Sequence, residues 1–507
     1  MTPAPMPLLP QYREDAVTRL LCAHTHLDED FAQEVLDEFT ADRLKAIGLP
    51  LGINLVALVR HARAAQQRRR LRDGQLAVLL LTIVASVIAA LASLGNGHRS
   101  AAAAFGLAAA FALVVAAVVV HRSGHSAWRA ARGVYRGQEK PQDLAAPVEA
   151  ATEDRLKALR LANVVPYDAH VEADNPFVGS GEKIKEDVWP SIDVGRPADA
   201  PGGGKLTLMP FDAVGLHTYM ARGMGAVAGL EGLRARNRLY VRGLHVPSLG
   251  AQLLPDPLRR PLPRIDKQLV QAGVIRPGGG MRTYLSLEMV GSGGKYVVSM
   301  HLRARLTQNR LSWQVAAYVL PPVHIRFSHV AYLPLGGLEQ WWALVRFTAT
   351  SLRWMLLGAF GRMRRRRARS VRHERELRKI RREITKYHAA YDYGALDSLR
   401  ERAADLDTMD FDERMDAQDA FQRLQQGVLI ATEKFLIDHN VDTSDFDRAQ
   451  KVINNQTYNI GNVNGPSNIG NQGNIAIGQQ GHGQGPGGYA GGGGGAQQSP
   501  QAGGKTT

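Results

Sequence analysis

The residue types that most clearly suggest a binding function are in residues 202–205 (GGGK), a glycine-rich segment that ends in lysine. A phosphate-binding loop has the pattern G-x-x-x-x-G-K-[ST], because its backbone N–H groups surround the phosphates and its hydroxyl ligates magnesium. Asp199 stands where the first glycine is required, and Leu206 stands where the hydroxyl is required. The sequence therefore favours a flexible loop over a nucleotide site.

A second glycine-containing segment, residues 177–181 (FVGSG), places Ser180 between two glycines. The nucleophile elbow of hydrolases needs the spacing G-x-S-x-G, which this segment lacks. Turn formation alone explains two glycines and a serine. A turn that presents N–H groups to an anion or a partner stays open as an alternative, as does a meeting in space of Asp256, Asp266 and Glu288.

Metal-ligating and redox-active residues are sparse. Cys22 is the single cysteine, so the chain forms no internal disulfide and no thiolate metal site. His24, His26 and His61 are not accompanied by a ligand cluster and are interpreted as ordinary histidines. We therefore predict no catalytic residue, no cofactor and no metal.

Two long apolar runs, residues 75–95 and 101–120, contain no charged residue. Each has the roughly 20 residues that an α-helix needs to cross about 30 Å of hydrocarbon. Residues 96–100 leave room only for a tight turn. The runs predict a transmembrane helical hairpin over residues 75–120; the alternative is a helical hairpin buried in a soluble core.

Basic residues flank this hairpin on its outer sides, at Arg60, Arg63, Arg68, Arg69, Arg70 and Arg72 before it and Arg122, Arg129, Arg132, Arg136 and Lys140 after it. Arginine and lysine near membrane ends stay in the cytoplasm. We therefore expect a cell-membrane protein with two spanning helices and both termini cytoplasmic.

Much of the net charge of +15 lies beside apolar runs, which favours the lipid bilayer and its anionic head groups as partners. Nucleic acid is not expected, because no aromatic stacking platform accompanies the charge.

Changes in periodicity divide the remaining chain. Residues 1–73 predict an N-terminal helical unit, and residues 121–159 predict a basic juxtamembrane linker. Residues 160–335 predict a cytoplasmic α+β domain with an antiparallel β meander, because β-rich runs there are joined by links of hairpin length. These runs are residues 284–290, 295–306 and 311–320.

Residues 336–365 combine tryptophans with arginines. Arg346 and Arg353 fall on one helical stripe, which argues against a third spanning helix and favours an amphipathic helix in the membrane interface, followed by a basic patch. The alternative is a core helix of the α+β domain followed by a solvated basic helix. The expected membrane-interface residues are Trp341, Trp342, Arg346, Arg353, Trp354, Arg364, Arg365, Arg366 and Arg367.

Residues 366–453 predict a charged helical region, and residues 454–507 form an Asn/Ile/Gly repeat followed by a Gly/Gln-rich tail. Stacked strands would align identical asparagines and bury the isoleucines; a disordered low-complexity tail is the alternative. The residues expected to self-assemble are Asn459, Ile460, Gly461, Asn468, Ile469, Gly470, Ile475, Ile477 and Gly478.

The repeat in residues 454–478 resembles the RIP homotypic interaction motif and related bacterial and fungal amyloid signalling motifs. Their core is a β-branched residue, Gln, a β-branched residue and Gly, whereas residues 475–478 (IAIG) lack the Gln and Pro466 interrupts the repeat. In those families the motif passes a fibril template from a sensor to an effector that often attacks membranes. The resemblance implies self-assembly and signalling.

The order of segments, with residues 175–181 (NPFVGSG), 254–258 (LPDPL) and 318–322 (YVLPP), resembles a group of uncharacterised membrane proteins from high-GC actinobacteria such as Streptomyces. The resemblance implies architecture and no chemistry. We expect an α+β membrane protein that is a non-enzymatic, cytoplasmic-facing scaffold or signalling protein, with a protein partner or a second copy of itself. One alternative is a membrane-acting effector of a defence or cell-death pathway, triggered by the C-terminal motif. The other is an enzyme of unrecognised type in the α+β domain.

Overall fold

A mixed β-sheet forms the centre of the region that follows the two apolar runs. The computed structural model describes residues 13–454 except Asp42, residues 171–174, Ala228 and Glu231. Its strands are β1 (Val164–Tyr167), β2 (Glu182–Val188), β3 (Ile192–Asp193), β4 (Arg234–Arg242), β5 (Met281–Gly291), β6 (Tyr296–Thr307) and β7 (Arg310–Leu320). The sheet order is β1-β4-β5-β6-β7-β2, and β3 pairs with β7. This arrangement confirms the α+β class.

The helices precede, cover and follow this sheet. They are α1 (Ala16–Leu27), α2 (Glu29–Phe39), α3 (Leu55–Gly95), α4 (Arg99–Arg136), α5 (Ala150–Arg160), α6 (Ala213–Gly223), α7 (Lys267–Ile275), α8 (Gly337–Leu357), α9 (Ala359–Tyr387), α10 (Leu399–Ala403), α11 (Phe411–Asp438) and α12 (Ser444–Asn454). The two apolar runs thus lie on α3 and α4, which are twice as long as the runs themselves.

The meander is formed by β5, β6 and β7, which pair antiparallel in chain order. Gln308 and Asn309 link β6 to β7 with φ values of 45° and 56°, the left-handed conformation that a two-residue hairpin turn requires. The sheet as a whole is mixed, because β1 joins β4 in parallel. A parallel pair needs a long crossover, and residues 168–233 form it.

The two faces of the sheet have different covers. Alternate side chains of the meander, including Met300 and Trp313, pack on one face against α6, α11 and α12. The predicted charged helical region therefore supplies much of this core, through Phe421, Leu424 and Val428 of α11. The other face packs against the segment that contains Phe177 and against Leu49 and Leu51 from the N-terminal unit.

The segment of residues 175–181 is held by α10. One carboxylate oxygen of Glu401 accepts hydrogen bonds from the backbone N–H groups of Gly179 and Gly181, at 2.8 and 2.9 Å. The same side chain closes a capping box with Ser398 at the start of α10. Gly181 has a φ of +86°, and a Cβ there would lie 2.4 Å from the carbonyl oxygen of Val319.

This geometry predicts the effect of adding one methyl group at Gly181. Gly203 has the same φ of +86° but open space around its Cα, so Gly203→Ala carries backbone strain alone, about 1 kcal/mol. Gly181→Ala adds a clash with β7, and we expect a loss of about 3 kcal/mol in the free energy of unfolding. Denaturant unfolding of both variants measures the difference; equal losses would contradict the described packing of this segment.

Candidate membrane-anchoring site

The apolar hairpin, defined as residues 75–95 of α3 and 101–120 of α4, presents its side chains outward. Leu81, Ile88, Leu107 and Phe111 are between 58% and 73% exposed. Both helices are long and apolar enough to cross a membrane, and only 11% and 17% of their most apolar windows are buried. A hairpin in the core of a soluble protein would be covered on most sides, so that alternative does not fit.

Helix α8 packs against the base of the apolar hairpin. Its buried residues Met355 and Leu356 pack with Leu76 and Ala77 of α3 and with Ala116 and Val120 of α4. The ring of Phe347 lies so close to Gly124 that a Cβ there would be 2.8 Å from it. The covered side of α8 therefore faces the hairpin and not the core of the sheet.

The predicted membrane-interface residues lie on α8 and on the first turns of α9. Trp341, Trp342 and Trp354 are 50%, 62% and 58% exposed, and the arginines of the set are exposed as well, except for the partly covered Arg366. The structure thus brings these residues, apart from Arg366, to the surface beside the apolar hairpin. Their contact with lipid stays a prediction.

A buried carboxylate joins α9 to the hairpin. Asp73 is fully buried and forms ion pairs with Arg72 at 2.8 Å, Arg362 at 3.0 Å and Arg366 at 2.7 Å. Arg366 also pairs with Glu29 of α2 at 2.6 Å. Sequence reasoning missed this cluster; its only signal is that Asp73 is the single acidic residue among residues 60–75.

A chain of hydrogen bonds ties α1 to the lower part of α3. Arg68 donates to Nδ1 of His26, and because a guanidinium can only donate, the His26 proton sits on Nε2. That Nε2–H donates to Nδ1 of His61 at 3.0 Å, and Nε2–H of His61 donates to the Pro141 carbonyl at 2.8 Å. Burial, together with the charge of Arg68, lowers the pKa of His26 well below its usual value, so the ring is neutral.

Two further arginines fix the lower part of the hairpin. Arg19 of α1 donates to the carbonyls of Val134, Gly137 and Glu139 at 2.9, 2.9 and 2.7 Å, which satisfies the C-terminal end of α4. Arg60 of α3 forms a two-pronged ion pair with Glu153 of α5, with both distances 2.8 Å. The helices that leave the apolar hairpin are therefore bonded to the N-terminal unit and to α5.

A second polar cluster lies inside the sheet. His301 of β6 is bonded to Ser180 through Nε2 and to Ser286 through Nδ1, each at 3.0 Å, and the Tyr240 hydroxyl lies 3.2 Å from Ser286. Burial lowers the pKa of His301 well below its usual range and raises the pKa of Tyr240 to about 12. A serine beside a neutral imidazole has the composition of a nucleophile and its base.

That second cluster is closed to solvent. Ser180 and His301 are both 0% exposed, and the Phe177 ring stacks on the imidazole with centroids 4.1 Å apart. A substrate would reach the serine only if residues 175–181 left the sheet. The arrangement therefore acts as a satisfied polar network that holds this segment in place.

The other residues considered from the sequence have separate structural partners. Glu288 pairs with Arg238 inside the sheet, while Asp266 caps α7 by accepting from the N–H of Gln268. Asp256 accepts from the N–H of Leu258. Lys205 of the glycine-rich loop pairs with Asp199 at 2.5 Å. Within the described residues no group of three or more His, Cys, Asp or Glu side chains could hold a metal ion.

The residues predicted to self-assemble, from Asn459 to Gly478, lie outside the described part of the chain. Their role stays a prediction.

The ion cluster around Asp73 predicts a large effect of neutralising it. Asp73→Asn leaves Arg72, Arg362 and Arg366 without their shared counter-charge, and breaking a buried pair costs about 3 kcal/mol or more. Asp154→Asn is the matched control, since the Asp154 side chain is 74% exposed and pairs with the exposed Lys157; we expect a change within about 0.5 kcal/mol. Unfolding of both variants in detergent measures the difference, and equal stabilities would contradict the cluster.

The neutral His26 predicts a pH dependence. The unfolded chain binds a proton at His26 below about pH 6.5, whereas the lowered pKa keeps the folded form neutral. Stability is therefore fully present above that pH and falls below it, by up to about 1.4 kcal/mol per pH unit. His26→Gln lacks this proton uptake, so its stability difference from the wild type should narrow on acidification; parallel unfolding curves would refute the prediction.

Comparison with known proteins identifies a family for the larger part of the chain. A model for an AbeC-like domain matches residues 188–464, which is more than half of the chain and extends from the end of β2 through α12. The apolar hairpin and the N-terminal unit precede the match. Neither a curated protein nor a solved structure shows significant similarity to the chain. The chain belongs to the AbeC-like domain family.

Proposed function

We propose that this chain is an integral membrane protein whose hairpin anchors an AbeC-like domain at the cytoplasmic face of the cell membrane. There it acts as a non-enzymatic scaffold or signalling protein. The observation that carries the proposal is the exposure of the apolar hairpin, whose windows are only 11% and 17% buried. Such a surface is stable where lipid covers it.

The distribution of charge supports the orientation. The domain lies at the same end of α3 and α4 as the arginines that flank the hairpin, whereas the tip between the helices offers only Arg99 and His98. The end with the excess of arginine stays in the cytoplasm. The exposed tryptophans of α8 lie beside the base of the apolar hairpin, and tryptophan is enriched at membrane–water interfaces.

The connection between membrane and domain supports a scaffolding or signalling role. Helices α3 and α4 continue without interruption from the apolar hairpin into the part that Arg19 and Arg60 bond to α1 and α5. Arg362 and Arg366 of the AbeC-like domain pair with Asp73 in the same part of α3. A flexible linker would let the domain drift from the bilayer. Continuous helices hold it at one height and orientation, so a protein partner or a second copy would meet it in a defined geometry.

The closed polar network in the sheet supports a non-enzymatic role. Its serine and imidazole would be the best candidates for a nucleophile and a base, yet both are fully buried. Catalysis needs the nucleophile within reach of a bound substrate. The sheet is better suited to present a stable surface to a partner.

The orientation predicts which positions a membrane-impermeant maleimide reaches in intact cells. In a Cys22→Ser background, Ser100→Cys at the tip should be labelled from outside. Thr385→Cys on α9 should be labelled only after permeabilisation, because the reagent does not cross the bilayer to the cytoplasmic side. Both side chains are exposed, so burial does not explain a difference between them. Membranes washed in carbonate should retain both variants.

The two outcomes that contradict this proposal differ. Release of the protein by carbonate would show that the hairpin does not cross the bilayer. Labelling of Thr385→Cys in intact cells, with Ser100→Cys protected, would show that it crosses in the opposite direction.

A further inference from the structure

A cavity of about 300 Å³ lies inside the helical bundle at the base of the apolar hairpin. Its basic wall is formed by Arg68, Arg69 and Arg72 of α3. Ser123 of α4 and Ser351 of α8 add hydroxyl groups, and tryptophan rings of α4 and α8 complete the lining. Guanidinium and hydroxyl donors that converge on one space suit an anion with several acceptor oxygens.

Arg69 offers a buried donor that the described residues leave without a hydrogen bond. Its side chain is 8% exposed, and its Nη1 is buried without a hydrogen-bond partner among the described residues. A buried charged donor without a partner is costly. Its two neighbours in the wall are both engaged, Arg68 with His26 and Arg72 with Asp73. Arg69 is therefore the donor that a ligand in the cavity would satisfy.

The local charge also calls for an anion. Five arginines lie in the cavity wall or around the neighbouring Asp73, namely Arg68, Arg69, Arg72, Arg362 and Arg366. The carboxylates of Asp73 and Glu29 pair with three of them. The carboxylates therefore leave an excess of positive charge in a region largely shielded from water, where each unpaired charge is least tolerable.

The surroundings of the cavity point to the kind of anion. An open groove of about 920 Å³ runs between α3, α4 and the start of α8, and it shares Arg68, Arg72 and Ser123 with the cavity. Along the apolar hairpin its walls are Val115, Val118 and Val119. The groove thus combines an apolar half along the hairpin with a basic half at its base.

We propose that the cavity binds the phosphate of an anionic phospholipid, with Arg69 as its main ligand and the acyl chains along the groove. The assignment of the phosphate to a lipid rests on the proposed membrane anchoring. The inference that the cavity binds a phosphate group does not depend on that anchoring. Basic pockets between membrane helices on the cytoplasmic side suit such head groups.

The test uses the full-length protein purified in detergent and native mass spectrometry of bound lipid. Wild type, Arg69→Gln and Arg70→Gln are each incubated with phosphatidylglycerol or with phosphatidylcholine. Arg70 is the matched control, because it is the next residue of α3, has the same charge and is exposed. A parallel arm records the thermal unfolding of each protein with and without inorganic phosphate.

We expect the wild type to retain phosphatidylglycerol in preference to phosphatidylcholine. Arg69→Gln should weaken this retention about tenfold, which corresponds to about 1.4 kcal/mol, while Arg70→Gln should keep it. The lipid-free Arg69→Gln variant should unfold at no lower temperature than the wild type, since the substitution removes a buried charge whose Nη1 has no hydrogen-bond partner among the described residues. If that variant does not fold, Ser351→Leu narrows the same cavity and should weaken retention in the same way.

Equal losses in the two arginine variants, or no loss in either, would overturn the proposal, because they indicate general attraction to a basic surface. Phosphate that stabilises the wild type but not Arg69→Gln, without retained lipid, would support the anion cavity and assign soluble phosphate as its occupant. Neither result depends on the labelling experiment, so a failure of membrane anchoring is distinguished from a failure of the cavity.

Discussion

The attraction between one buried carboxylate and the arginines around it connects the parts of this protein. Asp73 lies at the point where α3 turns from polar to apolar, and Arg362 and Arg366 reach it from α9. Arg362 also donates to the Met355 carbonyl near the end of α8. Without this carboxylate, three guanidinium groups would repel one another in a space that water hardly enters. This counter-charge therefore acts together with the apolar packing of Met355 and Leu356 to hold α8, and with it the tryptophans, against the hairpin.

The same constraint explains why the domain and the hairpin form one unit. The hydrogen-bonded chain from Arg68 through His26 and His61 ends at the Pro141 carbonyl, just beyond α4. Arg19 satisfies the carbonyls at the end of α4 itself. The Arg19 bonds join residues 115 and 118 apart in the sequence, and the bonds of the histidine chain join residues 35 to 80 apart. The ends of α3 and α4 away from the tip are therefore held from several sides. The family match begins only at residue 188, so these bonds lie within the part of the chain that precedes it. The ion pairs of Asp73 with Arg362 and Arg366 join that part to the AbeC-like domain.

Local patterns were sufficient for some elements and insufficient for others. The meander follows from alternating side chains and turn residues, and the two long helices follow from uncharged runs of sufficient length. The parallel pairing of β1 with β4 depends on contacts across a long crossover, which no local pattern contains. Likewise, the apolar stripe of α11 predicts that one side of the helix is buried, but it does not predict that the sheet is what covers that side. The arginines near residue 366 were predicted as a lipid-facing patch from composition alone, and only the fold shows that Arg362 and Arg366 turn inward to Asp73.

The arginines at the base of the hairpin outnumber the carboxylates that pair with them, and this excess bears on the proposed membrane location. Arginine near the end of a membrane helix fixes orientation while it is solvated or bound to lipid phosphate. Here part of that charge is neutralised by Asp73 and Glu29, and Nη1 of the buried Arg69 has no hydrogen-bond partner among the described residues. A soluble protein would gain stability by replacing such a residue with an apolar one of similar volume. In the proposed site, an anion from outside the chain supplies the partner that Nη1 of Arg69 lacks.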